Sequence, residues 1–185
     1  RCSCCHNPDT WATDGGGAVS VEEVIAEFEK NRPFYSNGGI TVTGGEPLLQ
    51  AEFALELFRL CHEAGINTCL DTSGSVWNDA VEALLAETDR VLLDIKYTTD
   101  AAYRENVGCG MEKPLAFLRY LDEKKIPTTI RQVIIPTVND DEENIRATGA
   151  FLAECGIERV HILPYHNFAT HKYQQLGMAY TAKDI

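Results

Sequence analysis

Residues 39–47, GITVTGGEP, contain the pattern that decides the fold. The β-branched run from Gly39 to Thr43 predicts a buried strand, and the polar group Gly44-Gly45-Glu46 follows it directly. Pro47 then marks the start of a segment with apolar residues at helical spacing. The stretch therefore predicts a strand that passes through a short polar loop into a helix.

The same alternation recurs along the chain. Further apolar or β-branched runs predict strands at 67–70, 90–95, 128–135 and 159–163. Apolar residues at helical spacing predict helices around 21–28, 53–61, 81–85, 115–121 and 145–152. Near-continuous apolar strands that alternate with helices are typical of a parallel sheet covered by helices.

Polar residues at the strand ends distinguish a barrel from a doubly wound sheet. Asp71-Thr72-Ser73-Gly74 follows the second strand, Asp94 and Lys96 end the third, and Pro164-Tyr165-His166 ends the last. Arg131 lies within the fourth run, where a charge needs a partner or a lumen to face. Barrel enzymes place their active sites at the carboxyl ends of the strands. We therefore predict an α/β protein with a partial, (β/α)6-type TIM-like barrel.

The length and net charge of the chain limit the size of the barrel and the class of partner. The chain has 185 residues, fewer than the roughly 250 of a full (β/α)8 barrel. Its net charge of −12 argues against nucleic acid and membrane surfaces as partners, and neither a membrane span nor a signal-peptide pattern is recognisable. We expect one cytoplasmic domain over 1–185. The chain starts at Arg1, without Met, in its most informative segment, and 180–185 resembles an unfinished element, so we expect a fragment truncated at both termini.

Seven cysteines stand out in the composition, and Cys2, Cys4 and Cys5 fall within the first five residues. An odd number without a secretory signal favours a metal or redox role over a disulfide framework. Thiolates suit iron–sulfur clusters and zinc, and a CxxC pair can also be a redox motif. A zinc site would need a distant pair such as His166 and His171, which are imperfectly spaced. On spacing alone these alternatives, and that of incidental thiols, stay open.

The flanking residues are more specific. Arg1-Cys2-x-x-Cys5-His6-Asn7-Pro8-Asp9-Thr10-Trp11, followed by Thr43-Gly44-Gly45-Glu46-Pro47, resembles the radical S-adenosylmethionine superfamily. Within it, the chain is similar to the activating enzymes of glycyl-radical enzymes, of the pyruvate formate-lyase type. The resemblance extends from Arg1 to about Tyr180. Cys4 departs from it, because the family usually has an aromatic residue at that position.

The resemblance implies a [4Fe–4S] cluster bound by a CxxxCxxC motif. Cys2 and Cys5 would be the second and third ligands, and the first would lie three positions before Arg1, outside the chain. Three thiolates leave one iron open, where the amino and carboxylate groups of S-adenosylmethionine would bind. Reductive cleavage would then give a 5′-deoxyadenosyl radical. The cofactors carry this chemistry, so no side chain is expected to be catalytic.

Contacts to S-adenosylmethionine also follow from the resemblance. They are expected from Cys4, Cys5, His6, Gly44, Gly45, Glu46, Asp94, Lys96, Arg131 and His166. Glu46 would accept from the ammonium group, Lys96 would suit the carboxylate, and Arg131 would face the carboxylate or the substrate peptide. Asp71, Thr72 and Asp94 could hold a small monovalent cation. An ordinary turn at 71–74 and an Asp94–Lys96 salt bridge are the plainer explanations.

The implied substrate is a protein. No cysteine lies between Trp11 and Thr43, where several other glycyl-radical activating enzymes carry a ferredoxin-like insertion, so the resemblance favours the pyruvate formate-lyase type. The partner would present an extended loop whose glycine loses its α-hydrogen, and a flavodoxin- or ferredoxin-type donor would supply the electron. The alternatives are a radical S-adenosylmethionine enzyme with another substrate and a zinc-stabilised binding module without catalysis.

Overall fold

The computed structural model describes residues 2–12, 15–157, 159–183 and 185. Its strands form one parallel sheet in the order β1-β2-β3-β4-β5. They are β1 (Gly39–Val42), β2 (Asn67–Thr72), β3 (Arg90–Asp94), β4 (Thr128–Ile134) and β5 (Val160–Pro164). Strands in chain order form the wall of a barrel, whereas a doubly wound sheet reverses its order. The predicted partial barrel is confirmed, with five strands in the described residues.

Helices alternate with these strands. They are α1 (Val21–Asn31), α2 (Ala51–Glu63), α3 (Asp79–Ala86), α4 (Asp100–Asn106), α5 (Glu112–Glu123), α6 (Glu142–Glu154) and α7 (Thr170–Gln175). The sequence pattern predicted all of them except α4 and α7, which have seven and six residues and are too short for a helical repeat to emerge. Within the described residues, no helix combines the length and apolarity needed to cross a membrane.

Local signals set the helix boundaries. Asn78 and Asp141 cap α3 and α6 by accepting hydrogen bonds from Val81 N and Asn144 N. Gly65 follows α2 with φ +66°, a left-handed conformation that glycine adopts without strain. Because these signals depend on a few adjacent residues, the sequence alone places the helices between the correct strands.

The main hydrophobic core lies between the sheet and its covering helices. Leu70, Val91, Leu93 and Ile130 project from the strands into it, and each is at most 1% exposed. Neighbouring strand residues point to the opposite face. That face carries charged side chains, so the sheet separates an apolar outer layer from a polar inner surface.

Phe58 on α2 is fully buried in this core. We predict that Phe58→Ala lowers the free energy of unfolding by about 3–5 kcal/mol, through lost burial and an unfilled cavity. Phe34→Ala is the matched control, since that ring is 83% exposed and its removal should have little effect. Urea unfolding of both variants measures the difference, and equal losses would contradict this account of the core.

Candidate active site at the carboxyl ends of the strands

The cysteine loop, defined here as residues 2–7, continues into a 3₁₀ helix at Pro8–Trp11. This segment packs against the loop that follows β1. A Cβ atom added to Gly45 would lie 2.9 Å from Thr10 Oγ1, and Gly44 has φ +144°. Gly45 therefore permits the close approach, and Gly44 permits a backbone conformation that other residues rarely adopt. The contact brings the cysteine motif and the Gly44-Gly45-Glu46 motif together at the carboxyl end of the sheet.

Distant segments fix the cysteine loop by hydrogen bonds. The backbone N–H of Ser3 donates to Asn106 O at the end of α4, at 2.9 Å. Thr181 Oγ1 donates to Ser3 O at 3.0 Å, and the Tyr173 hydroxyl donates to Cys5 O at 3.1 Å. The loop has no regular secondary structure around the cysteines, so these contacts determine where the thiols lie.

Cys4 and Trp11 border a small aromatic cluster made by the last part of the chain. In this cluster Tyr173 stacks on Tyr180, with their ring centroids 4.3 Å apart. Tyr173 is 3% exposed, so its hydroxyl needs a partner and finds it at Cys5 O. The cluster supports the loop at the position where Cys4 replaces the usual aromatic residue.

The thiols of the cysteine loop are free and partly buried. Burial raises the pKa of Cys2 and Cys4, while the nearby Lys96 ammonium acts on both in the opposite direction. A cationic neighbour favours the thiolate, the form that binds metal. Lys96 thus connects the cysteine loop electrostatically with the end of β3.

A charge cluster occupies the inner face of the sheet. Arg131 Nη2 lies 2.7 Å from Asp71 Oδ1 and 3.1 Å from Asp94 Oδ1, and Lys96 Nζ lies 2.9 Å from Asp94 Oδ2. Thr43 Oγ1 donates to Asp71 Oδ2 at 2.9 Å. Two cations therefore neutralise two carboxylates beside the cysteine loop.

The surroundings of the charge cluster shift its pKa values. Burial raises the pKa of Asp71, although the Arg131 guanidinium opposes this. Burial would lower the pKa of Lys96, but the Asp94 carboxylate and, after it, the neighbouring Cys2 outweigh burial and raise that pKa. Lys96 therefore stays positively charged. One of its N–H groups donates to Asp94, and the ammonium has further N–H groups that can donate to a ligand.

Glu46 is engaged differently from the expectation. Its Oε1 accepts from Leu48 N at 3.1 Å and Thr72 Oγ1 at 2.6 Å, and its Oε2 accepts from Ser73 N and Ser73 Oγ. A carboxylate has about four acceptor positions, so these donors occupy it. Glu46 ties the loop after β1 to the loop after β2, and an ammonium group would have to compete for it.

His6 shows where a further group fits. Its ring stacks on His166 at 4.3 Å, and burial, followed by the charge of His166, lowers the pKa of His6. Its Nε2 is buried without a hydrogen-bond partner among the described residues. Buried polar atoms are rarely left unpaired, so this nitrogen next to Cys5 fits a bound group, and the thiols fit iron.

The described residues do not complete a metal site by themselves. Among them, no three His, Cys, Asp or Glu side chains are placed to hold a metal ion together. Cys2 and Cys5 would thus need a further thiolate, as the motif predicts. The zinc alternative lacks its distant pair among the described residues, because neither His166 nor His171 belongs to a group that could hold a metal ion.

The structure brings most predicted site residues to one end of the sheet, but not in every expected combination. Asp71 and Asp94 share Arg131, whereas the Thr72 hydroxyl donates to Glu46. The monovalent cation therefore stays a prediction. Sequence reasoning missed the contacts of Thr43 and Tyr173. Thr43 belongs to a motif that was recognised, but nothing in the sequence indicates the contact of Tyr173.

Comparisons with known proteins agree with this arrangement. The family model of the radical SAM superfamily matches residues 1–148. The chain is 40% identical to pyruvate formate-lyase 1-activating enzyme of Escherichia coli K12 over 97% of its length and 75% of the relative's. It is 40% identical to pyruvate formate-lyase-activating enzyme of Clostridium pasteurianum, over 100% and 79%.

A solved structure is also similar. It is a domain of pyruvate-formate lyase-activating enzyme from Bacteroides vulgatus ATCC 8482, with a TM-score of 0.64 and 28% identity. The match covers 75% of this chain and 92% of that one. The likeness in sequence and the likeness in fold therefore point to the same group of proteins.

We predict that Arg131→Met destabilises the metal-free protein by about 3 kcal/mol at neutral pH, because Asp71 and Asp94 lose their shared cation. Without Arg131, burial raises the pKa of Asp71 further above its unfolded value. The loss is therefore present above that unfolded pKa and disappears as the pH falls below it. Urea unfolding from pH 4 to 7 measures this trend.

The control for this variant is Arg146→Met. Arg146 pairs with Glu142 at 2.6 Å, but both side chains are more than three-quarters exposed, so its loss should have little effect. A loss for Arg131→Met that is as large at pH 4 as at pH 7 would contradict the explanation by unpaired carboxylates.

Tyr173→Phe should keep the aromatic cluster but remove the hydrogen bond to Cys5 O. We expect the full-length, iron-loaded protein to release iron to a chelator roughly fivefold faster, equivalent to about 1 kcal/mol for one hydrogen bond. Tyr120→Phe is the control, since its hydroxyl donates to Glu82 Oε1 far along the chain from the cysteine loop. Identical release from both variants would show that the bond does not hold the loop.

Proposed function

The chain belongs to the radical SAM superfamily, and on this basis we propose that it activates a glycyl-radical enzyme, with pyruvate formate-lyase as its partner. Similarity to activating enzymes across nearly the whole chain carries this proposal. The position of the cysteine loop beside the polar inner face supports it. Membership of the family implies an oxidoreductase whose cofactors are a [4Fe–4S] cluster and S-adenosylmethionine.

When bound, these cofactors supply an electron and a 5′-deoxyadenosyl radical, which takes a hydrogen atom from a glycine of the partner. The protein has to position them and exclude water. Cys2 and Cys5 would hold the cluster with a third thiolate. The hydrogen bonds to Asn106, Tyr173 and Thr181 would keep the cysteine loop in place during this chemistry.

The charge cluster would orient S-adenosylmethionine. Lys96 lies near Cys2 and keeps its charge, so its remaining N–H groups can donate to a carboxylate bound next to the cluster. Arg131 holds Asp71 and Asp94 at fixed positions, which leaves the inner face balanced in charge. Binding therefore requires little rearrangement of these side chains.

His6 and His166 would form one wall of the cofactor site. The lowered pKa of His6 keeps its ring uncharged at neutral pH, and His166 is exposed on the open side of the stack. The two stacked rings can pack against a flat group, and His6 Nε2 can form a hydrogen bond with it. A low-potential donor of the flavodoxin or ferredoxin type and a cytoplasmic location complete the proposal.

Anaerobic reconstitution of the full-length protein tests the cofactors. We predict a brown protein with about four irons that cleaves S-adenosylmethionine to methionine and 5′-deoxyadenosine under reduction. Cys5→Ala should abolish both properties. Cys155→Ser should preserve them, since Cys155 packs against the main core away from the cysteine loop. A colourless protein with one zinc would reject the enzyme and favour a binding module.

A second experiment tests the partner. The reconstituted enzyme is incubated with pyruvate formate-lyase, S-adenosylmethionine and a reductant, and the sample is examined by electron paramagnetic resonance. A glycyl radical doublet supports the proposed partner. Cleavage of S-adenosylmethionine without this doublet would reject pyruvate formate-lyase and indicate a radical enzyme with another substrate.

A further inference from the structure

Tyr97 carries a buried hydroxyl that has no role in the site described so far. The side chain follows Lys96 at the end of β3 and is 6% exposed. Its hydroxyl oxygen is buried and has no hydrogen-bond partner among the described residues. A buried hydroxyl without a partner costs about 1–3 kcal/mol, so its presence requires an explanation.

The immediate surroundings of Tyr97 do not satisfy this hydroxyl. The ring packs edge-on against Tyr103 at 6.3 Å and belongs to a small apolar cluster with Met111. The Tyr103 hydroxyl is itself engaged, because it accepts a hydrogen bond from Lys96 N at 3.1 Å. Phenylalanine would make the same ring contacts at position 97 without the unpaired oxygen, so packing alone does not account for a tyrosine.

Helix α4 contacts both Tyr97 and the cysteine loop. Helix α4 contributes Tyr103, on which Tyr97 packs, and it ends at Asn106, whose carbonyl accepts from Ser3 N. Burial raises the pKa of Tyr97, and the neighbouring Cys4 and Cys2 thiols raise it further. The Tyr97 hydroxyl therefore lies within electrostatic range of the cysteine loop, in which Cys2 is an expected ligand of the cluster.

We propose that the Tyr97 hydroxyl donates a hydrogen bond to a sulfur atom of the iron–sulfur cluster and thereby sets the cluster's reduction potential. The inference rests on the proposed function, which supplies the cluster as acceptor. Hydrogen bonds to the sulfurs are among the determinants of such potentials. The donor stabilises the reduced cluster more than the oxidised one, because the reduced cluster carries one more negative charge. Tyr97 is thus a tuning residue that acts through the cluster.

Tyr97→Phe in the full-length protein tests this assignment, since the ring stays and only the hydroxyl is lost. We expect the iron content to stay the same and the equilibrium constant for one-electron reduction to fall about tenfold, or about 59 mV. A redox titration followed by electron paramagnetic resonance measures the change. Tyr120→Phe, which removes a hydroxyl bonded to Glu82, should leave the potential unchanged.

A second measurement detects the proposed hydrogen bond directly in the wild type. Pulsed electron paramagnetic resonance on the reduced wild type in H2O and D2O should show an exchangeable proton strongly coupled to the cluster, which Tyr97→Phe lacks. If the variant cannot be loaded, the melting temperature of the metal-free variant tests the inference instead. Absence of that coupling, or an unchanged potential in a loaded variant, would overturn the inference.

The melting temperature of the metal-free protein tests the inference independently of the cluster. Without a cluster the hydroxyl has no acceptor, so Tyr97→Phe should leave the melting temperature unchanged or raise it. A clear decrease would show that the hydroxyl has a protein partner and would also overturn the inference. Failure of the wild type to bind a cluster would reject the proposed function itself, so the two failures can be told apart.

Discussion

The guanidinium of Arg131, held between Asp71 and Asp94, is the interaction on which the inner face of the sheet depends. Parallel strands are usually apolar on both faces, and charges placed on one face are costly unless they are paired. One arginine joins carboxylates from β2 and β3 to β4, and Lys96 pairs with the second carboxylate oxygen of Asp94. This pairing permits a polar, preformed surface within a fold whose other face is a hydrophobic core.

The cysteine loop depends on contacts of a different kind. It has no regular structure around Cys2 and Cys5, so the loop after β1, the end of α4 and the segment from α7 onward position it. The hydrogen bonds among these contacts link residues more than a hundred positions apart in the chain. The position of the thiols beside the charge cluster therefore depends on the barrel wall and on the last part of the chain.

Local patterns predicted the strands because β-branched runs and glycine or asparagine signals act over a few residues. All five predicted strands are present, with ends that differ by at most two residues. The sequence placed Asp94 and Arg131 on strands and Lys96 at the end of one, as the structure has them. Periodicity could not show α4 and α7, nor that Glu46 would be engaged by Thr72 and Ser73.

The sequence by itself determined the fold class, the family and the chemical nature of the site, because these depend on local spacing and on motifs read in order. Only the tertiary structure decided which groups meet. It showed that Arg131 bridges two carboxylates, that Tyr173 supports Cys5, and that the Tyr97 hydroxyl is buried without a partner among the described residues. Such contacts arise from packing between distant segments, and no spacing along the chain encodes their distances or burial.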